Sequence, residues 1–169
     1  LKKNLVLTGM MGSGKSTIGK ALSERLNMKF ADTDTIIENK LSLPVSKIFE
    51  VKGEKFFRKL EMEESIKLTE KKGFIIALGG GAFINDQIRK NIKKSCFSVY
   101  LQLNINELFE RTKNNQKRPL LNTDKSKKEL KKLYEKRKEF YSMTDYKVDC
   151  DSKTKSEIIE EIKKVYENT

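Results

Sequence analysis

Gly9-Met10-Met11-Gly12-Ser13-Gly14-Lys15-Ser16-Thr17 fits the spacing G-x-x-x-x-G-K-[ST] of a phosphate-binding loop. Its flanks fit as well. Ahead of it runs Asn4-Leu5-Val6-Leu7-Thr8, a short apolar segment of the kind that forms a strand buried on both faces. Behind it, Ile18, Ala21, Leu22 and Leu26 recur at helical spacing. The motif therefore lies between a strand and a helix. Glycines let the backbone curl so that successive N–H groups face an anion, and the helix adds the positive end of its dipole. Gly12, Ser13, Gly14, Lys15, Ser16 and Thr17 are the candidate nucleotide-binding residues, with Lys15 on the outer phosphates and the Ser16 hydroxyl on Mg²⁺. The stretch predicts a nucleoside triphosphate site.

Two further stretches point toward the same site. Lys29 to Asp34 reads as a strand with Asp32 and Asp34 at alternate positions, so both carboxylates share one side of it. Beside a phosphate loop, one acid serves Mg²⁺ and the other a proton. The competing reading is a helix cap before Ile36 and Ile37. Phe74-Ile75-Ile76-Ala77-Leu78 is a buried strand running into Gly79-Gly80-Gly81. Glycines at the carboxyl end of a parallel strand permit close approach of backbone to ligand, and ligands sit at that end.

Composition narrows the chemistry. A chain of 169 residues predicts one domain, 1–169, with a single sizeable core. No apolar run approaches the roughly 20 residues of a membrane span, and no signal sequence opens the chain, so a cytoplasmic location is expected. Histidine is absent, which leaves a carboxylate as the general base. Cys96 and Cys150, each near a predicted strand, read as buried thiols rather than a disulfide framework. The formal charge of +12 is concentrated between Lys113 and Lys138, with eleven Lys and Arg against three Asp and Glu. A cationic flap over a polyphosphate explains that cluster. No aromatic-rich nucleic-acid motif accompanies it, so no nucleic-acid partner is expected. Against thirty lysines stand only six arginines, which marks each Arg as a candidate for a place needing a planar, bidentate fork.

The remaining elements follow in order. A helix begins near Ser42-Leu43-Pro44 and is interrupted by Gly53; a longer one, Glu54 to Lys71, carries Arg58 and Glu61 at a spacing that allows a surface pair. A helix at 85–94, a strand at 96–103 and a helix capped by Asn104 come next. The polar, cationic stretch from Lys113 to Thr123 reads as a lid. On the helix from about Ser126 to Tyr141, Arg137 falls on the apolar stripe of Leu130, so it requires a bound anion or a buried carboxylate. A strand at 146–150 and an amphipathic helix end the chain.

With these residues in view, the chain resembles the shikimate kinases over nearly its whole length. The resemblance is carried by the phosphate loop, Asp32-Thr33-Asp34, Gly53-Glu54 with Phe57-Arg58-Leu60-Glu61, Gly79-Gly80-Gly81, Arg118-Pro119-Leu120-Leu121, and Arg137 with Tyr141. It implies an α/β fold of three layers, a P-loop kinase of the nucleoside-monophosphate-kinase type. Its parts would be a parallel five-stranded sheet, a substrate-binding segment at about 32–62 and a lid at about 112–124. The implied activity is MgATP-dependent phosphorylation of the 3-hydroxyl of shikimate to shikimate 3-phosphate and ADP, in aromatic amino-acid biosynthesis, by a monomer. By the same resemblance Asp34 acts as base or orienter, Arg58 and Arg137 clamp the shikimate carboxylate, and the backbone of Gly79, Gly80 and Gly81 meets the ring hydroxyls. Ser16 and Asp32 hold Mg²⁺, and Lys15 and Arg118 serve catalysis. Arg118, Arg111, Pro119 and Lys153 contact the nucleotide. A gluconate-type kinase of the same fold is the nearest alternative. A nucleotide-dependent nucleic-acid-binding module is a more distant one.

Overall fold

Asn4–Thr8 (β1) is buried at every position, because it is the middle strand of the sheet. In the computed structural model, which describes residues 2–113 and 124–169, β1 is flanked by Phe74–Ala77 (β3) and Cys96–Gln102 (β4). Lys29–Asp32 (β2) and Tyr146–Asp149 (β5) form the edges, giving the order β2-β3-β1-β4-β5. Every pairing is parallel. Parallel strands require crossover helices, so both faces are covered and β1 can be apolar throughout.

The alternate positions of β1 show the layering. Leu7 meets Gly19 of Lys15–Leu26 (α1), where an added Cβ would come within 3.4 Å of the Leu7 side chain. Asn4 points the other way, to the end of Glu54–Thr69 (α4). Its Nδ2 donates to Thr69 O at 3.2 Å and Lys71 O at 2.6 Å, and its Oδ1 accepts from Phe74 N at 2.9 Å. A buried amide is tolerated because its polar atoms are paired. α1 packs with the last helix, Lys155–Glu167 (α8), and α4 packs with Asp86–Ser95 (α5). Ile105–Thr112 (α6) and Asp124–Tyr141 (α7) pack against each other.

Two apolar clusters result. The larger surrounds the sheet. The smaller, Ile37, Ile48, Phe57 and Leu60, joins Thr33–Leu41 (α2), Val45–Lys52 (α3) and α4. The expected substrate-binding segment thus has a core of its own. Gly53, between α3 and α4, has φ 84° and ψ 162°, a region open in practice to glycine alone.

Sequence expectation and structure differ at β2. The strand ends at Asp32, and Asp34 lies in the first turn of α2. Asp32 Oδ1 accepts from Asp34 N at 3.0 Å and Thr35 N at 3.2 Å. Those N–H groups have no partner inside the helix, so a capping carboxylate ends the strand two residues early. The two acids consequently do not alternate along one strand. The thiols of Cys96 and Cys150 are free and buried, and burial pushes the Cys150 thiol up to about 11. Among the described residues no helix is long and apolar enough to cross a membrane.

Candidate active site

In the phosphate loop Gly9, Gly12 and Gly14 take φ of 147°, 80° and 94°, values an L side chain would resist. Gly14 caps α1, and Lys15 opens it. Lys15 Nζ donates to Gly9 O at 2.9 Å and Met10 O at 3.0 Å, which folds its side chain back over the loop. Ser16 Oγ donates to Asp32 Oδ2 at 2.5 Å. Because the other oxygen of Asp32 caps α2, this carboxylate ties the start of α1 to the start of α2. A hydroxyl and a carboxylate oxygen side by side at a phosphate loop are the hard oxygen donors Mg²⁺ prefers.

Arg111 belongs to the same end of the molecule. Its Nη1 lies 3.5 Å from Gly12 O, while its Nε pairs with Glu107 at 3.0 Å. Lys153, after β5, bonds Glu161 of α8 at 2.6 Å. Lys153 and Arg111 both oppose the rise that burial imposes on the Cys150 thiol. Arg118, Pro119 and most of the expected lid lie outside the described residues.

The three glycines after β3 explain themselves through their neighbours. A Cβ on Gly79 would stand 2.5 Å from Asp34 Oδ1 and 2.8 Å from Glu61 Oε1; on Gly80, 2.9 Å from Arg137 Nη1; on Gly81, 2.7 Å from Arg58 Cζ. Each absent side chain makes room for a charged one. Gly79 N donates to the buried Thr33 Oγ1 at 2.8 Å, and the Tyr141 hydroxyl donates to Gly80 O at 2.5 Å. Burial raises the Tyr141 pKa, although nearby Arg137 opposes the rise, so the phenol stays a donor.

Arg58 is held from several sides. It donates to Glu61 Oε2 at 2.7 Å, lies 3.5 Å from Glu54, and sits over the rings of Phe49 and Phe57 at 5.7 and 5.4 Å. Burial lowers its pKa, but Glu61 and Glu54 outweigh burial and leave it raised. Glu61 is only 2 % exposed, so this pair is not the surface pair that the spacing permits. For Glu61 burial dominates, and its pKa is raised despite Arg58 and Arg137. From the sequence Glu61 offers a surface pair with Arg58 and a place in the family resemblance, but no part in the site; its position three residues after an arginine is the available signal. Arg137 is 7 % exposed, and its Nε has no partner among the described residues.

Ser16, the two acids, Gly80 and Gly81, and the Arg58, Glu61 and Arg137 side chains line one cavity of about 550 Å³. It runs from Ser16 and Asp32, past Asp34, to Arg58, Glu61 and Arg137. The phosphate loop and the two-arginine pocket are therefore joined by continuous space. A doubly covered parallel sheet with this loop defines a P-loop nucleotide-binding protein.

Comparison with known proteins narrows that class. The family model described as shikimate kinase matches residues 11–167. The chain belongs to the shikimate kinase family. The shikimate kinase of Sulfurihydrogenibium sp. is 42 % identical over 160 residues, covering 95 % of each chain. Among solved structures, shikimate kinase from Acinetobacter baumannii in complex with shikimate superposes with a TM-score of 0.91 at 31 % identity, over 97 % of this chain and 92 % of that one. Shikimate kinase from Aquifex aeolicus gives 0.86 at 36 %, over 97 % and 96 %. A gluconokinase from Sinorhizobium meliloti gives 0.63 at 16 % identity, over 98 % and 94 %, a likeness of fold alone.

Proposed function

We propose that the chain transfers the γ-phosphoryl group of MgATP to the 3-hydroxyl of shikimate, releasing shikimate 3-phosphate and ADP. The observation that carries this reading is the single cavity joining Ser16 and Asp32 to Asp34, Arg58 and Arg137. It offers a donor end for phosphate and an acceptor end for a small hydroxylated carboxylate. The Acinetobacter baumannii relative, solved in complex with shikimate, supports the choice of acceptor.

The chemistry asks for alignment and charge neutralisation more than covalent help. The amides of Gly12 to Thr17 cradle the phosphates, and Lys15 leaves its two carbonyl partners to meet the outer ones. Ser16 and Asp32 hold Mg²⁺, which supplies further positive charge when bound. Arg58 and Arg137 grip the substrate carboxylate through planar forks. The Gly79-Gly80-Gly81 backbone meets the ring hydroxyls. Asp34 accepts or orients the proton of the attacking hydroxyl; the new O–P bond forms as the bond to the ADP oxygen breaks. Arg118 arrives from the segment between α6 and α7 to neutralise the transferred group. Arg111, Pro119 and Lys153 border the nucleotide. The working unit is one domain, acting as a cytoplasmic monomer without nucleic acid.

A coupled assay of ADP formation with Mg²⁺ and shikimate, quinate or gluconate tests the reading. Shikimate supports turnover far above the other two. Turnover on gluconate equal to that on shikimate overturns the acceptor assignment.

A further inference from the structure

Tyr141, the last residue of α7, is fully buried, yet it does not border the cavity of the proposed reaction. Its ring stacks on Tyr100 of β4, with centroids 4.9 Å apart at 28°, and Tyr100 is itself only 3 % exposed. A ring packed in this way fixes where its oxygen lies. The hydroxyl donates to Gly80 O at 2.5 Å, and Met10 Sδ, a weak acceptor, lies 3.7 Å away. A hydroxyl buried this deeply is costly unless it is bonded, so its aim is fixed as well.

Two groups that do line the cavity meet this phenol. The first is the peptide between Gly80 and Gly81. It is trans, so its N–H stands opposite the carbonyl that Tyr141 holds. That N–H, on Gly81, donates to no other group among the described residues. The second is Arg137, one turn earlier on the same face of α7. Its Nη1 lies 2.9 Å from where a Cβ of Gly80 would stand. Burial raises the Tyr141 pKa, and the Arg137 guanidinium opposes the rise by charge and by hydrogen bonding. A neutral phenol has one hydrogen and two lone pairs, so it can donate to Gly80 O and accept from Arg137 at once. Arg58 is held by Glu61 at 2.7 Å. Arg137 has no ion pair of that kind among the described residues, and its Nε is unpartnered there.

We propose, on the reading that this end of the cavity takes a small carboxylate, that Tyr141 is a positioning residue for the acceptor: its phenol sets both the plane of the Gly80–Gly81 peptide and the angle of the Arg137 fork. Without the hydroxyl, Gly80 O loses its donor and the peptide between two glycines is free to turn. Arg137 loses its support at the same stroke. The backbone of the phosphate loop is untouched, so the nucleotide end is spared.

Tyr141→Phe removes the oxygen and keeps the stacked ring. It is expected to raise the shikimate KM about tenfold, the weight of one hydrogen bond in a binding equilibrium, with the ATP KM within a factor of about two. Tyr100→Phe is the control. It disturbs the same ring stack through a phenol that bonds Tyr134, and it should leave both KM values at wild type. Thermal melts report any loss of fold in either variant. In the ligand-free chain, the ¹H–¹⁵N resonances of the Gly81 amide and of Arg137 Nε–H should shift in Tyr141→Phe and hold in Tyr100→Phe. A wild-type shikimate KM in folded Tyr141→Phe, or equal rises in the two KM values, overturns the inference. So does an equal effect in Tyr100→Phe, which would reduce Tyr141 to packing. A wild-type chain that neither binds nor turns over shikimate faults the acceptor assignment instead, and the ligand-free resonances then decide for or against Tyr141.

Discussion

Arg58 and Glu61 form a buried ion pair at 2.7 Å in which only one carboxylate oxygen is used. Glu61 Oε2 takes the guanidinium, while Oε1, buried and without a hydrogen-bond partner among the described residues, faces the bare Cα of Gly79. In the proposed clamp, the remaining edge of the Arg58 fork is the one that meets the substrate. Glu61 therefore positions the clamp rather than forming it. Glu61→Ala is expected to raise the shikimate KM about tenfold or more with the ATP KM nearly unchanged. It should also cost about 2 kcal/mol of stability, less than the roughly 3–5 kcal/mol for breaking a fully buried pair because Arg58 is one-third exposed. Equal effects on the two KM values, read alongside a urea melt, count against this role.

The same residue sets a pH dependence. Burial raises the folded-state pKa of Glu61 above its ordinary value of 4.5. A raised carboxylate binds its proton more tightly folded than unfolded. Its contribution to stability is thus full below 4.5 and is lost as pH rises through the folded value. Glu61→Gln removes that titration while keeping the shape. The stability of wild type minus Glu61→Gln should fall as pH rises from 4 toward 7, on the scale of about 1.4 kcal/mol per unit of pKa shift. Thermal melts across that range check the sign, and a difference that grows with pH would refute it.

Much of this site was legible because it is local. The phosphate loop, its strand and its helix adjoin in sequence, and Arg137 announced itself by falling on the stripe of Leu130. Asp32 was harder. Two acids at alternate positions fit a strand and a cap equally well, and Asp34 N and Thr35 N decide for the cap only once α2 exists. Glu61 was harder still, since i,i+3 spacing says nothing of depth. Its burial depends on α4 lying against the turn after β3, a contact between segments far apart in the chain.

Gly79→Ala puts a methyl group 2.5 Å from Asp34 Oδ1 and 2.8 Å from Glu61 Oε1. Neither carboxylate can yield freely, one being in a helix's first turn and the other held by Arg58. The expected loss in kcat is about 100-fold, since a displacement of 1 Å has effects of that order. ATP binding, measured by calorimetry without acceptor, stays within a factor of about two because the loop at Gly12 to Thr17 is untouched. Wild-type kcat in this variant would show that Asp34 does not need the place it holds.

Ser16→Ala removes the hydroxyl that Asp32 accepts and, with it, one of the two oxygen donors assigned to Mg²⁺. The variant should require more Mg²⁺ for half-maximal rate, by about tenfold, and lose kcat by roughly 10² or more, as transition-state charge goes uncompensated. Shikimate affinity without nucleotide is expected to match wild type, because Arg58, Arg137 and the glycine turn lie at the other end of the cavity. Chelation of Mg²⁺ from wild type should abolish turnover and likewise spare shikimate binding. A Mg²⁺ titration that superposes on wild type would remove Ser16 from the metal site.

Arg118 supplies the last and most separable prediction. The resemblance places it on the transferred phosphoryl group, whereas both arginines of the acceptor pocket come from α4 and α7. A charge that meets only the developing transition state should be visible in kcat and hardly at all in ground-state affinity. Arg118→Ala is therefore expected to lower kcat by roughly 10³, the low end for an arginine acting on phosphoryl transfer, with the shikimate Kd unchanged. Arg118→Lys keeps the charge but loses the fork, so it should recover only a small part of the rate. Protease protection of the 113–122 stretch in wild type should appear on adding nucleotide and be weaker in Arg118→Ala. Full activity in Arg118→Ala, or a loss confined to shikimate affinity, transfers the task of charge neutralisation to Lys15 and Mg²⁺ alone.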